Sequence, residues 1–474
     1  MSRLNAAQLS ERAWEKFTKG DSRGSLEDYN LSLQLRPNDP GSLNGRGWVK
    51  QNVGDSRGAL DDYNLSLQLR PNDSITLSNR AWTKFCLGDS NGALVDYNLS
   101  LKIKPNVAAT LNGRGWVKQN MGDSNGALAD YNLALQLHPN HPEFLSNRAW
   151  TKFCLGDLQG SSTDYDLSLK IRPNVALTLN GRGWTRQHLG DFNGALADYN
   201  LALQLHPNHP EILSNRAWTK HELGDLKGAL ADYDLSLKLK PNVAATLNGR
   251  GWIRQLLGDP RNAIEDYNTA LRQSPNDPAY LNNRGFAKQQ IGDMKGALED
   301  FNVAIQARPH EPFYLNNRAN VRRALADFLG AMEDYNLALK FKPGSGIILK
   351  NRGEAKRMMG NPAEALKDLN EAYTQLVDNF DLLCYRGATL RQLGNLKEAF
   401  EMFDKADKLG PKPTSILRDR TYLWFERALA KKQRGEWKAA LEDLTLANSY
   451  SNNDPRILQE TEEIKKLMVK NRMK

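Results

Sequence analysis

The pair Gly-Asp returns every 34 residues along this chain, at Gly20, Gly54, Gly88, Gly122, Gly156, Gly190, Gly224, Gly258 and Gly292. Ala326, Gly360 and Gly394 continue the series, and Gly435 closes it after a delay of seven residues. Such a repeat is one supersecondary unit, too small to bury an apolar face alone, so its core must come from stacking on its neighbours. The spacing predicts twelve contiguous repeats over 6–413, an insert at 414–420, a thirteenth repeat at 421–454 and a C-terminal capping helix at 455–474. These residues leave no room for an unrelated domain, although 474 residues would ordinarily suggest about three.

Ala108 serves as position 1 of the fourth repeat. Leu111, Gly115 and Lys118 then share one stripe at helical spacing. Gly122 suits a left-handed helix stop, and Asp123 suits the next N-cap. A second helix carries Ala127, Leu128, Tyr131, Ala134, Leu135 and Leu137 on its expected buried face, and Pro139 ends it. Pro142, Pro210, Pro278 and Pro312 are expected to start first helices, where a missing N–H does no harm. Position 8 is Gly or Ala in all 13 repeats, and positions 20 and 27 are always Ala or Ser. Helices approach closely only where side chains are small. Position 24 is aromatic in 11 repeats and fills the gap that remains, and position 32 is proline in 11.

This pattern resembles the tetratricopeptide repeat (TPR) over nearly the whole chain. The resemblance implies an all-α, right-handed superhelical solenoid of stacked antiparallel helix pairs, with first helices lining a concave groove. Two positions depart from the family. Positions 7 and 11 are Arg and Lys here, where a leucine and a tyrosine are usual. A 68-residue period lies above the 34-residue one, since "LSNRAWTKFCLGD" and "LNGRGWVKQNMGD" alternate through the first eight repeats with small variations. The groove chemistry should therefore alternate as well.

Arg occupies position 7 in all 13 repeats, from Arg12 to Arg427, and an aspartate follows 16 residues later in all but one, where Met402 stands. A bidentate Arg–Asp pair inside each repeat is the expected role. An array of arginines for an acidic ligand or nucleic acid is the alternative, and the matched aspartates argue against it. Position 11 is Lys or Arg except at Leu390. Its long stem is expected to lie on apolar surface with a solvated head, or else to meet an acidic partner.

Eight of the ten tryptophans occupy position 9: Trp14, Trp48, Trp82, Trp116, Trp150, Trp184, Trp218 and Trp252. The column then fades through Phe286, Asn320, Glu354, Ala388 and Leu429. Position 9 lies off the stripe that meets the second helix and shares a face with positions 2, 5, 12 and 13. By family geometry that face lines the groove. Asn44, Asn112, Asn180 and Asn248 stand at position 5, and Asn79, Asn147 and Asn215 at position 6. An amide both donates to and accepts from a peptide backbone, and an indole supplies apolar area with one N–H. Trp48, Trp82, Trp116, Trp150, Trp184, Trp218 and Trp252 with these asparagines are thus the candidate peptide-binding residues. The arrangement is similar to the asparagine ladder in the TPR region of O-linked N-acetylglucosamine transferase. Packing of the indoles between neighbouring first helices is the other reading, and both hold if one ring edge is buried and one face open.

Leu fills position 26 in the first seven repeats, from Leu31 to Leu235. Family geometry would put it on the convex side. A shifted helix that buries it is the expectation, and a self-association face the alternative. No catalytic constellation, phosphate loop or metal-ligand spacing emerges. The carboxylate clamp of chaperone-binding TPR domains is missing too, with only Asn320 and Lys350 matching single slots. No cofactor is expected, and the chain is read as non-enzymatic. The three cysteines form no C-x-x-C pair, and no run of apolar residues is long enough for a membrane span. A soluble, cytoplasmic protein is expected. The net charge of +9 permits an acidic partner without demanding one. The function expected is a scaffold or adaptor that binds an extended peptide. Single-stranded nucleic-acid binding and a regulatory subunit of an enzyme are the alternatives.

Overall fold

The computed structural model describes residues 4–410, 416–451 and 453–472, apart from the side chains of 416–419 and 471–472. Thr414 and Ser415 of the expected insert lie outside the described residues. Among the described residues there are 27 α-helices and no strand. The chain divides into two compact blocks, Met1–Leu223 and Gly224–Lys474. Within each block a first helix packs on the second helix of its own repeat where both lie in that block, and each second helix packs in turn on the next first helix.

The fourth repeat shows how the sequence builds the unit. Its first helix runs Ala108–Asn120 and its second Ser124–Leu137. Gly122 sits between them at φ 87°, where a side chain would be strained. Asp123 then caps the second helix, its carboxylate accepting from Gly126 N at 2.8 Å. Pro142, Pro210, Pro278 and Pro312 each occupy the first turn of a first helix.

Ala326 takes the helix-stop position at φ 61°, where the twelve other repeats use glycine. A left-handed alanine costs roughly 1–2 kcal/mol, partly offset by the extra unfolded-state entropy of glycine. Ala326→Gly should therefore stabilise the tenth repeat by up to about 1 kcal/mol. A denaturation midpoint that falls on this substitution would contradict the strain argument.

Leu111, Gly115, Ala127, Tyr131, Ala134 and Leu135 are buried as expected. Leu137 is not: it is 39 % exposed, beside Leu133 at 46 %. Residues four apart share a helix face, so both lie on the outer stripe of the second helix. The whole position-26 column follows Leu133, with Leu31, Leu65, Leu99, Leu167, Leu201 and Leu235 all exposed. The expectation that a shifted helix buries these leucines is overturned. The small residues at positions 20 and 27 and the aromatic at 24 already fill the helix–helix contact, so the second helix has no cause to rotate.

The 68-residue period has a packing cause. In the even repeats among the first eight, the tyrosine at position 24 turns into the glycine at position 8 of its own first helix. A Cβ on Gly115 would stand 2.9 Å from Tyr131 Cε1. In the odd repeats among the first eight, position 8 is alanine, and the tyrosine leans on the glycine at position 6 of the next repeat. A Cβ on Gly113 would stand 2.8 Å from Tyr97 Cζ. The odd-to-even junction therefore needs glycine at position 6. The even-to-odd junction is free to carry asparagine there.

At the C-terminal end a first helix spans Ile416–Gln433, 18 residues against 13 for most others. The final helix, Pro455–Arg472, sets Ile457 and Ile464 into a cluster with Trp424, Ala428 and Leu444. That closes an apolar face that a stacked repeat would otherwise expose.

Candidate functional site

The site begins with the charges that hold the repeats together. Arg114 grips Asp130 with two bonds, Nη2 to Oδ1 at 2.6 Å and Nε to Oδ2 at 2.9 Å. Lys118 Nζ reaches the same carboxylate at 2.8 Å. Asp130 is buried, 2 % exposed. The triad repeats at Arg46/Lys50–Asp62, Arg80/Lys84–Asp96, Arg148/Lys152–Asp164 and Arg182/Arg186–Asp198. In the C-terminal block it recurs from Arg250/Arg254–Asp266 to Arg427/Lys431–Asp443. The expected Arg–Asp pair is present, but position 11 is corrected. It is not a solvated ladder, because the same carboxylate draws its head inward. Burial raises the Asp28 carboxyl, but bonds from Arg12 and Lys16 outweigh it and hold it below the usual range.

The arginines also bridge repeats. Arg114 Nη1 donates to Asn98 Oδ1 at 2.9 Å, Arg148 to Asn132 and Arg182 to Asp166. This position-25 column was missed in the sequence, though its Asn/Asp periodicity was visible there. In the twelfth repeat, where Met402 replaces the aspartate, Arg386 bonds Asn370 and the Met402 sulfur instead.

The candidate asparagines form pairs. Asn79 Nδ2 donates to Asn44 Oδ1 at 3.1 Å, Asn147 to Asn112 at 2.9 Å and Asn215 to Asn180 at 3.0 Å. In the C-terminal block Asn283 donates to Asn248 at 2.9 Å. Each pair joins position 6 of an odd repeat to position 5 of the even repeat before it. This explains why asparagine alternates between the two positions. Each pair uses one amide hydrogen and one carbonyl lone pair, and the rest of each amide's bonding capacity remains.

The tryptophans are neither core nor fully open. Trp14, Trp82, Trp150 and Trp218 are exposed, while Trp48, Trp116, Trp184 and Trp252 are half-buried. Trp150 stacks on Phe153 at 5.4 Å, and Phe153 meets Trp184 of the next repeat edge-on at 6.4 Å. Trp252 lies 6.5 Å from Phe286. The indoles thus make aromatic contacts within and between repeats while keeping accessible surface.

A cavity of about 550 Å³ opens on this face in the N-terminal block. It is lined by Trp116, Trp150 and Trp184 together with Asn147, Asn180 and Asn215. Six candidate residues from four successive first helices meet there. Ser146, from the position-5 column, joins them with Glu211, Leu177 and Thr178, and these last three were missed because position 2 and position 3 side chains vary too much to read as a column. Trp184 Nε1 is buried with no acceptor, a donor whose desolvation goes uncompensated.

Farther on, where the tryptophan column fades, ion pairs replace it. Arg357 holds Glu354 bidentately at 2.7 and 2.8 Å and meets Tyr422 Oη at 3.1 Å. Arg391 Nη2 pairs Glu426 at 2.9 Å. Burial, with Glu354 and Glu426 adding, drives the Tyr422 phenol well above its usual range, so it stays protonated. The two residues that match clamp slots are also engaged. Asn320 Oδ1 accepts from Tyr335 Oη at 2.7 Å, and Lys350 pairs Asp381 at 3.2 Å. Among the described residues no group of three His, Cys, Asp or Glu side chains gathers as metal ligands, and no helix is long and apolar enough to cross a membrane.

A family model described as tetratricopeptide repeat matches residues 181–244, 250–312 and 350–412. A comparison with curated proteins finds no sequence match. Among solved structures, the anaphase-promoting-complex hetero-tetramer Cut9–Hcn1 aligns with a TM-score of 0.58 at 14% identity, covering 98% of this chain and 96% of that one. Yeast Tom70 aligns at 0.40 and 18% identity, over 90% of this chain and 96% of that one. A tetratricopeptide repeat protein from Parabacteroides merdae aligns at 0.39 and 19% identity, over 60% and 98%. The matched segments are tetratricopeptide repeats, and their glycine stops, small packing positions and helix pairs recur in the other repeats, whose fold is that of a tetratricopeptide repeat solenoid.

Proposed function

We propose that this protein is a non-enzymatic scaffold that holds an extended peptide segment on the first-helix face of its N-terminal block. The observation that carries the reading is the cavity where three indoles and three half-buried amides converge. Apolar faces with a few placed polar groups are what a peptide chain needs, and the asparagine amides keep bonding capacity for its backbone. The repeat family, built of helix pairs around such faces, supports a binding role over a catalytic one. A cytoplasmic setting suits a chain whose three cysteines form no disulfide. Single-stranded nucleic acid asks for available cations beside the aromatics, and here the first-helix arginines and lysines are drawn to aspartates.

Affinity capture tests this. Trp116→Ala/Trp150→Ala should lose a nuclease-resistant protein partner while keeping wild-type helical circular dichroism. A partner retained by that variant would place the contact elsewhere. The exposed leucine column favours one such place, self-association through the outer stripe of the second helices. A sedimentation coefficient independent of concentration would remove it.

A further inference from the structure

The peptide-groove reading is the base for a narrower statement about what the peptide carries. We propose that the first-helix face of the N-terminal block takes a basic segment, with lysine or arginine side chains laid on the tryptophan faces and Glu143 and Glu211 as counter-ions.

Three observations converge on that chemistry. First, the cations of this face are committed. Every Lys and Arg on the first helices of repeats two to six is salt-bridged to a second-helix aspartate, from Arg46 and Lys50 on Asp62 to Arg182 and Arg186 on Asp198. An acidic ligand would have to compete with buried carboxylates for each of them. Second, the charged residue that lines the cavity is a carboxylate, Glu211, and it is exposed. An ammonium or guanidinium is attracted by an indole face, and arginine also stacks its planar fork there. Trp116, Trp150 and Trp184 with a carboxylate at one edge are therefore a receptor for a cation on an apolar stem.

Third, the residues of the site recur one period earlier. Shifting each cavity residue back by one 68-residue period returns the same residue type, except that Ala109 stands for Leu177. Glu211 maps onto Glu143, which is also exposed, and Trp150 onto Trp82. The paired polar contacts map as well, Ser146–Thr178 at 3.1 Å onto Ser78–Thr110 at 3.3 Å. Two like sites in tandem on one rigid face bind a segment with two basic positions more tightly than either site alone.

The test is fluorescence anisotropy on the full chain with three labelled dodecapeptides: alternating Arg-Ser, Gln-Ser and Glu-Ser. The Arg-Ser peptide should bind about tenfold tighter than Gln-Ser, and Glu-Ser should bind more weakly than both. Glu143→Gln/Glu211→Gln changes two exposed side chains and should erase most of that advantage. Trp150→Ala should weaken Arg-Ser and Gln-Ser alike. Equal affinity for Arg-Ser and Gln-Ser, both lost in Trp150→Ala, overturns the basic preference and leaves the groove reading standing. An Arg-Ser affinity untouched by the glutamate pair overturns it too. Binding of all three peptides that ignores Trp150 in a folded variant overturns the groove reading itself.

Discussion

Asp130→Ala should destabilise its repeat by about 3–5 kcal/mol. An exposed ion pair contributes below about 1 kcal/mol, because water screens the charges and long side chains lose entropy. Asp130 belongs to a different class. It is 2 % exposed and takes three charged donors at 2.6 to 2.9 Å. Removing it leaves Arg114 and Lys118 facing each other across a gap with no counter-charge. Each of those side chains keeps about a fifth of its surface in water, which places the cost toward the lower end of the range. Repeat solenoids distribute stability as local and nearest-neighbour terms. The loss should therefore show first as faster amide exchange over Ser124–Leu137 and over the helices packed on it. Arg23→Ala, which breaks an exposed pair with Glu27, is the control and should change stability by less than about 1 kcal/mol. Exchange over the second helix that matches wild type in Asp130→Ala would refute the buried-triad account.

Gly181→Ala should cost about 1–3 kcal/mol, although alanine is the better helix former by about 1 kcal/mol. The added Cβ would stand 2.6 Å from Tyr165 Cζ, so the ring or the helix must move. Tyr165 is buried at 3 % exposure, so a shift of its ring disturbs close-packed neighbours. The cost should fall sharply when Tyr165→Leu is combined with Gly181→Ala, and that coupling is the decisive reading in a double-mutant cycle. Gly41→Ala is the matched control, since its Cβ would make only an ordinary 3.5 Å contact with Asp39. Purely additive effects of Gly181→Ala and Tyr165→Leu would detach the 68-residue alternation from tyrosine packing.

Much of the architecture is legible in the residues because each repeat states its own constraints. Gly122 must stop a helix, Asp123 must cap one, and Ala127 and Tyr131 must meet a close neighbour. These are local demands, and thirteen copies remove the ambiguity of any one. The Arg–Asp pair is legible for the same reason, as two columns of opposite charge at a constant offset of 16 residues. Lys118 was harder to place. A lone lysine on a helix reads as solvated, and only the position of Asp130 between two helices shows that one carboxylate serves both cations.

The candidate site divides along the same line. The sequence alone gives the tryptophan and asparagine columns, their alternation and the face they share, because helical phase is a local property. It does not reveal that Asn147 bonds Asn112, that Trp150 keeps an open face while Trp184 loses its donor to burial, or that Glu211 reaches the cavity of the repeat before it. Those facts depend on the rise and rotation from one repeat to the next. That step depends on contacts between repeats such as Tyr165 against Gly181, and these are decided by close packing in three dimensions.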